Sequence, residues 1–374
     1  MSLNQRINLL QRRPTLGSAV AFPVMALTLF AIALVSVSPV AAQNQQTGKS
    51  SAVQESNETP VSSASSATAM KDADANRPSQ FDSETAFGYL KEICAIGPRV
   101  SASPGMAKQQ RYLQAHFEKI GGKISHQAFQ VRSPYNGRAV KLHNLIIQYH
   151  PERKRRLLIC CHYDTRPFAD ADRRAPRSKF IGANDGASGV ALLCELGKHM
   201  QSLEGEFGVD FIFFDGEEFV IERARDQMFL GSTFFSNQYA AGNVPWKYEY
   251  GILVDMVADK DLQIYMEGNS LGYADGLTRS VWTVANELGV KEFIPEQRHK
   301  IRDDHLPLNQ IARIQTCDII DFDYPNPKVG NVYWHTRKDN VGNCSAESLG
   351  KVGSVVLEWI RKVQELNKDK TKEK

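Results

Sequence analysis

The chain has 374 residues, of which 42% are hydrophobic and 23% are charged. This composition is typical of a globular protein and excludes a chain that is disordered or fibrous throughout. A formal net charge of +3 gives no reason to expect nucleic acid as a partner. The length has room for one large α/β domain with additional segments.

The first 42 residues have the pattern of a secretory signal peptide. Arginines precede an apolar run over 20–37, and Val40 and Ala42 fit the −3 and −1 positions of a cleavage site. We expect cleavage after Ala42 and export, either secreted or periplasmic. The alternative is an uncleaved membrane anchor, because the apolar run is almost long enough to span a bilayer. Without such an anchor we expect no stable membrane partner.

Residues 43–80 are rich in Ser, Ala, Gln, Asn and Thr and poor in large apolar residues. Such a segment cannot bury enough surface to fold, so we interpret it as a disordered linker. The folded domain is predicted over 81–366, and a charged tail follows over 367–374.

Two helices are predicted at the start of the domain, in "DSETAFGYLKEICAIGP" and "PGMAKQQRYLQAHFEKIGG". Strand-like runs follow in "ISHQAFQV", "NLIIQYH" and "RRLLICC". Strands then alternate with helices, in "VDFIFF", "GSTFFSNQYA", "YGILVDM", "DLQIYM", a helix over 275–288, "DIIDF" and a last helix over 346–365. This order predicts a single α/β domain with a central mixed, largely parallel sheet covered by helices on both faces.

Histidines and carboxylates follow several of the predicted strands. Ligands bind at the carboxyl ends of the strands in such sheets, so these residues are expected to share one edge. Their donor types suit zinc, whereas calcium prefers more oxygen donors and no histidine. The residues concerned are His162, Asp164, Asp215, Glu217, Glu218, Asp255 and His335, with Asp185 before a helix on the same edge.

Individual positions within this set allow more than one interpretation. In "IGANDGASGV" the simplest interpretation of Asn184-Asp185 is an N-cap of the following helix. In the adjacent pair Glu217-Glu218, one carboxylate can bind a metal while the other faces the substrate as a proton carrier. For Asp164 and Asp215 we expect a role in orienting His162 or its loop.

The segments "CHYDT", "GANDGASGV", "FDGEE", "LVDMV" and "YWHTRKDN" resemble, in this order, the motifs of the zinc aminopeptidase clan of metallopeptidases. Within the clan, three features are similar to the glutaminyl cyclase (glutaminyl-peptide cyclotransferase) branch. These features are "FFDGEEFVIERARDQMFLGS", "RDDHLPL" and the Trp334-His335 pair. The resemblance implies an enzyme that converts the N-terminal glutamine of peptides or proteins to pyroglutamate and releases ammonia.

The same resemblance implies roles for individual residues. It makes Asp185, Glu218 and His335 the ligands of a single zinc ion. It makes Glu217 the general acid and base, and Asp255 and Asp303 the carboxylates that bind the substrate amine. Trp334 becomes an apolar wall beside the glutamine side chain.

A di-zinc aminopeptidase is the alternative function. It would use His162 and Asp255 to hold a second zinc, with Asp185 bridging the two ions and Glu217 activating a water molecule. All these residues are present, so the ligand types do not exclude it. The "RDDH" segment and Trp334 favour the cyclase.

The chain departs from the cyclase pattern at several positions. Arg223 stands where cyclases have a tryptophan, and Asp318 stands where a histidine is expected. The six cysteines show no CxxC spacing, and Cys160, Cys194 and Cys317 lie in apolar runs typical of a core.

Overall fold

The computed structural model describes residues 80–222, 225–325 and 332–372. The predicted signal peptide, the linker up to residue 79 and Arg223 lie outside the described residues, and the expectations about them stay predictions. All described residues belong to one structural unit. Among them, no helix is both long enough and apolar enough to cross a membrane.

The described residues form helices and strands that alternate over most of the domain. The strands are β1 (Lys123–Arg132), β2 (Ala139–Tyr149), β3 (Arg155–His162), β4 (Gly208–Phe214), β5 (Lys247–Asp255), β6 (Ile264–Glu267), β7 (Phe293–Arg298) and β8 (Thr316–Ile320). The helices are α1 (Ser83–Ala95), α2 (Pro104–Lys119), α3 (Ala187–Gly197), α4 (Leu230–Ala240), α5 (Gly268–Glu287), α6 (His305–Gln310) and α7 (Ala346–Lys372). A short 3₁₀ turn spans Val341–Asn343.

The main sheet has six strands in the order β1-β2-β4-β3-β5-β8. Strand β2 is antiparallel to both β1 and β4. Strand β3 is parallel to β4 and to β5, and β5 is parallel to β8. The predicted mixed, largely parallel sheet is therefore confirmed. Strands β6 and β7 form a separate two-stranded parallel sheet.

Both faces of the main sheet are covered by helices, as the alternating pattern predicts. In β3, Leu157 and Ile159 pack into the large core formed with α1, α2, α3, α5 and α7. The intervening Leu158 and Cys160 pack on the other face, where α4 and α6 supply Phe235 and Leu308. A strand buried on both faces has no polar side, which explains the uninterrupted apolar run in "LLICC".

The ends of several helices agree with their sequence signals. The Asp82 side chain accepts a hydrogen bond from the Thr85 N–H at 3.0 Å and caps α1. Helix α3, in contrast, begins after Gly186 at φ 98° and has no side-chain cap. The simplest interpretation of Asn184-Asp185 as an N-cap is therefore wrong.

Other boundaries differ from the prediction. Helix α5 begins at Gly268 rather than 275, with non-helical backbone at Ala274 inside it. The last helix continues to Lys372 instead of ending at 365. Strand β7 and the six-residue helix α6 were not predicted. The core prediction for Cys160, Cys194 and Cys317 is confirmed, since all three are buried free thiols.

Helix α3 lies unusually close to the sheet at Gly189. A Cβ atom at this position would lie 2.7 Å from Cys161 Cβ and 2.7 Å from the Val254 carbonyl oxygen. Only glycine permits this approach, which brings the start of α3 against the carboxyl ends of β3 and β5. We expect Gly189→Ala to lower the free energy of unfolding by about 1–3 kcal/mol through overpacking.

The matched control is Gly276→Ala in α5, where a Cβ would meet nothing within 4 Å. This substitution is expected to leave stability unchanged or raise it by up to about 1 kcal/mol, because alanine is the better helix former. Urea unfolding of both variants measures the difference. Equal midpoints for the two variants would contradict the close approach.

Candidate active site

The carboxyl edge of the parallel strands gathers the polar residues that the sequence places after them. His162 ends β3 and Asp255 ends β5. Glu217 and Glu218 follow β4, and the loops before α3 and after β8 bring in Asp185 and His335. All six side chains are buried.

These residues form two adjacent clusters that share Asp185. In one, His335 Nε2 lies 3.0 Å from Glu218 Oε1 and 3.3 Å from Asp185 Oδ2. In the other, His162 Nε2 lies 3.1 Å from Asp255 Oδ1 and 3.3 Å from Asp185 Oδ1. The donor atoms within each cluster lie within 4.8 Å of one another. The geometry therefore fits either one metal ion or two bridged by Asp185.

Asp185 is positioned by its backbone. Gly182 and Gly186 adopt φ angles of 58° and 98°, in the region that favours glycine. A Cβ at Gly186 would lie 2.9 Å from the Asp164 carbonyl oxygen. The Asp339 carboxylate accepts the N–H groups of Asn184 and Asp185 at 2.7 and 3.1 Å. The turn is thereby fixed with the Asp185 side chain directed to both histidines.

The Glu217-Glu218 loop is fixed in a similar way by Asp164. The two carboxylate oxygens of Asp164 accept the backbone N–H groups of Glu217 and Glu218 at 3.2 and 3.0 Å. Asp164 Oδ1 also lies 3.8 Å from His162 Nδ1. Asp215 accepts hydrogen bonds from Ser101 Oγ at 2.6 Å and from the His143 N–H at 2.9 Å. It supports the loop from the side of β2, away from the metal clusters.

Glu217 lies beside the clusters and is 7% exposed. Burial, followed by the charge of Glu218, raises the pKa of Glu217 well above its ordinary value. Burial and the nearby Asp255 raise the pKa of Asp303 in the same direction. Carboxyl groups with raised pKa values can accept and release protons near neutral pH.

An aromatic surface lies next to the first cluster. The Trp334 ring stacks on the His335 ring with centroids 3.8 Å apart and an interplanar angle of 25°. Phe322 meets Trp334 edge to face at 5.6 Å. His335 itself has φ 55°, so the chain turns sharply between the aromatic residue and the histidine. The result is an apolar wall beside the candidate metal position.

Asp318, at the position of the histidine expected from the cyclase pattern, is buried on β8. It lies 3.5 Å from His305 Nδ1, and the other nitrogen of His305 lies 3.4 Å from Glu267. Burial and then Asp303 raise the pKa of Asp318 well above its ordinary value. The ring of His305, at the start of α6, therefore lies between two buried carboxyl groups and beside the position where the cyclase pattern has a histidine.

Three residues that contact the site were missed in the sequence. They are Arg166, Asp170 and Asp339. Arg166 contacts Glu218, and Asp170 contacts the Nδ1 atom of His335. Charged residues in loops are normally solvated, so there was no reason from residue type alone to place these three in a buried site. Their signal was proximity in sequence, since Arg166 follows "HYDT" directly and Asp339 lies four residues after His335.

Comparison with known proteins agrees with this fold and site. The model of peptidase family M28 matches residues 144–360, more than half of the chain, and the chain belongs to this family. The crystal structure of Fimbriiglobus ruber glutaminyl cyclase is 38% identical, covers 76% of this chain and 96% of that one, and superposes with a TM-score of 0.71.

Other relatives carry both kinds of description found in the family. A leucine aminopeptidase precursor from Bacteroides thetaiotaomicron VPI-5482 is 34% identical, with 76% of this chain and 98% of that one covered and a TM-score of 0.69. The glutaminyl-peptide cyclotransferase of Bothrops jararaca is 24% identical over 301 residues, covering 70% of this chain and 77% of that one. The resemblance to the glutaminyl cyclase branch is confirmed by these similarities.

The contacts of Asp339 predict that it supports metal binding without touching the metal. Asp339→Ala removes the acceptor of two N–H groups that fix Asp185, so we expect metal affinity to fall by about 10–100-fold. Chelator competition on the purified domain measures this.

The control is Asp226→Ala. Asp226 also accepts two backbone N–H groups, from Ile221 and Glu222 at 2.9 and 2.8 Å, but in an exposed loop. Its loss is expected to leave metal affinity unchanged. Equal metal affinities for the Asp339 and Asp226 variants would refute the positioning role.

Proposed function

We propose that this chain is a zinc-dependent glutaminyl-peptide cyclotransferase, an acyltransferase that acts on N-terminal glutamine. The observation that carries the proposal is a further buried carboxyl group, Asp303, which is 4% exposed and close enough to Asp255 for that charge, after burial, to raise its pKa. Such an acid suits the recognition of a substrate amine beside a single metal. The similarity to glutaminyl cyclases over most of the chain supports the same activity.

The donor set of Asp185, Glu218 and His335 fits zinc. Carboxylate oxygens and imidazole nitrogens both bind zinc, and three protein ligands with a fourth position open are the general pattern of a catalytic zinc site. Asp185 Oδ2 is buried, and within the described part of the chain its polar contact is the ion pair with His335 Nε2 at 3.3 Å. A bound zinc would polarise the glutamine side-chain amide as a Lewis acid.

Glu217 moves the proton in this mechanism. The substrate α-amine attacks the side-chain amide carbonyl, and a new N–C bond closes a five-membered ring. Glu217 accepts the proton that the amine loses and gives it to the amide nitrogen, which leaves as ammonia when its C–N bond breaks. The raised pKa of Glu217 suits a group that must hold and release this proton.

Asp255 and Asp303 orient the amine, and Trp334 packs against the glutamine side chain. The attack is intramolecular, so correct orientation supplies much of the rate enhancement. An α-amine has a pKa of about 7.7–8, so a neutral fraction capable of attack exists near pH 7. The reaction requires no nucleophilic serine or cysteine.

An aminopeptidase with two zinc ions remains the second candidate. His162, Asp185 and Asp255 come close enough to hold a further ion. The similarity to a leucine aminopeptidase precursor points the same way. In that case Asp185 would bridge the two ions, and Glu217 would take a proton from water.

We also propose that the protein is exported and acts on peptide or protein N-termini outside the cytoplasm. The pattern that ends at Ala42 carries this proposal. An uncleaved segment would instead anchor the same domain to a membrane.

Metal analysis and substrate choice separate the two candidate functions. We expect the purified domain to hold close to one zinc per chain and to release ammonia from a peptide that begins with glutamine. We expect negligible release of an N-terminal leucine from a leucyl peptide. Two tightly held zinc ions, both required for activity, together with leucine release would establish the peptidase instead.

The adjacent glutamates are expected to respond differently to the same substitution. Glu217→Gln is nearly isosteric but cannot accept a proton, so turnover should fall by about 10²–10⁴-fold while zinc content stays the same. Glu218→Gln weakens a metal ligand, so zinc content should fall together with the rate.

Ammonia release and zinc content are measured on the same samples of both variants. If Glu217→Gln loses zinc while Glu218→Gln keeps it, the two roles are reversed. A Glu217→Gln variant that cyclises glutamine at the normal rate would disprove the proton-transfer mechanism.

A further inference from the structure

We infer that Arg166 is a positioning residue that makes Glu218 a ligand through one oxygen only and, through Asp170, fixes the orientation of His335. The inference rests on the proposed function for the identity of the metal. The inference adds to that function that the contact of Arg166 with Glu218 keeps one coordination position of the metal open for the substrate.

Arg166 is 1% exposed and pairs with both Glu218 and Asp170. Its Nη1 atom donates to Glu218 Oε2 at 3.0 Å. Its Nε and Nη2 atoms donate to the two oxygens of Asp170 at 3.1 and 2.6 Å. The guanidinium thus uses a two-bond fork on one carboxylate and a separate N–H on the other, a geometry available only to arginine.

The two oxygens of Glu218 therefore have different partners. Oε2 accepts from Arg166, and Oε1 lies 3.0 Å from His335 Nε2, on the side of Asp185. A carboxylate without such a partner can place both oxygens on a metal ion. If Glu218 did so, its second oxygen would occupy the fourth coordination position of the zinc. The substrate amide requires that position.

Asp170 extends the same arrangement to the histidine. Its Oδ1 atom lies 3.2 Å from His335 Nδ1, so Nε2 is the nitrogen that faces Asp185 and Glu218. The Asp170 side chain is 40% exposed, and a partner this exposed is weakly held by itself. Its two bonds to buried Arg166 hold it in place. One cation consequently orients two of the three ligands.

Arg166 could instead serve only to balance the charge of the buried carboxylates. The two roles are separated by Arg166→Lys, which keeps the charge but loses the planar fork. If orientation matters, the lysine variant behaves like Arg166→Gln. If only charge matters, it behaves like the unaltered protein.

The control is Arg337→Gln. Arg337 also pairs with an aspartate, Asp172 at 2.8 Å, and lies two residues after His335, but its side chain is 51% exposed. It belongs to the same neighbourhood and does not contact the metal ligands that Arg166 orients.

The experiment measures metal affinity by chelator competition and imidazole binding to the cobalt-substituted domain, followed by the visible absorption of the cobalt ion. Imidazole probes the open coordination position and requires no catalysis. We expect both Arg166 variants to bind metal about 10–100-fold more weakly and imidazole at least about tenfold more weakly than the parent. Arg337→Gln should match the parent in both.

An Arg166→Lys variant with parental affinity for metal and for imidazole would overturn the inference. Arg166→Lys also decides the matter if Arg166→Gln does not fold, since it retains the buried charge. Neither measurement depends on glutamine cyclisation. If the protein is an aminopeptidase but Arg166 orients the ligands as inferred, the Arg166 variants still lose affinity for metal and imidazole. If the protein is a cyclase but Arg166 has no such role, the variants keep both affinities.

Discussion

The structure depends on holding several carboxylates within a few ångströms of one another in a buried site. Taking a carboxylate out of water is costly unless hydrogen bonds, cations or a metal ion compensate it. Asp185, Glu218 and Asp255 face His335 or His162, and Glu218 has Arg166 in addition. Within the described part of the chain Glu217 and Asp303 form no ion pair, and burial raises the pKa of both, as it does for Asp255 in spite of His162. Asp185 and Glu218, whose pKa values lie below their ordinary values, are thus suited to bind a cation, and Glu217 and Asp303 are suited to carry a proton.

The loops around the cluster are held in place by hydrogen bonds between buried charged side chains and backbone groups. Asp164 and Asp339 each bind two consecutive N–H groups, and in both cases the second of the two residues is a proposed metal ligand. Buried Arg99 donates to the Ile181 and Gly182 carbonyl oxygens at 2.7 and 2.8 Å, which secures the start of the turn that carries Asp185. The sheet provides only the edge. The direction of each proposed ligand is set by a charged side chain outside the proposed ligand set.

The sequence predicted the parts of this arrangement that depend on local pattern. Buried strands such as "LLICC" are continuous apolar runs, and the ordered motifs place the acids and histidines at strand ends. It failed where the outcome depends on the path of a loop in space. Arg166 and Asp170 lie in a charged stretch whose composition is typical of a solvated surface loop. Only the path of this loop in the structure brings Arg166 into contact with Glu218. The N-cap expected at Asn184-Asp185 is not formed. Gly186, at φ 98°, stands at the start of the helix, and no side chain caps it. Helix α6 is only six residues long, too short for periodicity to reveal.

The choice between one metal ion and two comes down to which cation the second cluster receives. His162, Asp185 and Asp255 surround a position suited to a positive charge, and a substrate amine that carries a proton is such a charge. In an aminopeptidase the same position would hold zinc, and the amine would bind elsewhere. Asp303 bears on this choice because burial and the charge of Asp255 raise its pKa, which favours the uncharged form of its carboxyl group. An uncharged Asp303 leaves less negative charge beside Asp255 to hold a divalent ion, whereas the N–H groups of an amine can still donate to the carbonyl oxygen of an uncharged carboxyl group. A carboxyl group outside the proposed ligand set thus bears on whether a substrate nitrogen or a second metal ion occupies this position, and with it on which of the two reactions the same scaffold supports.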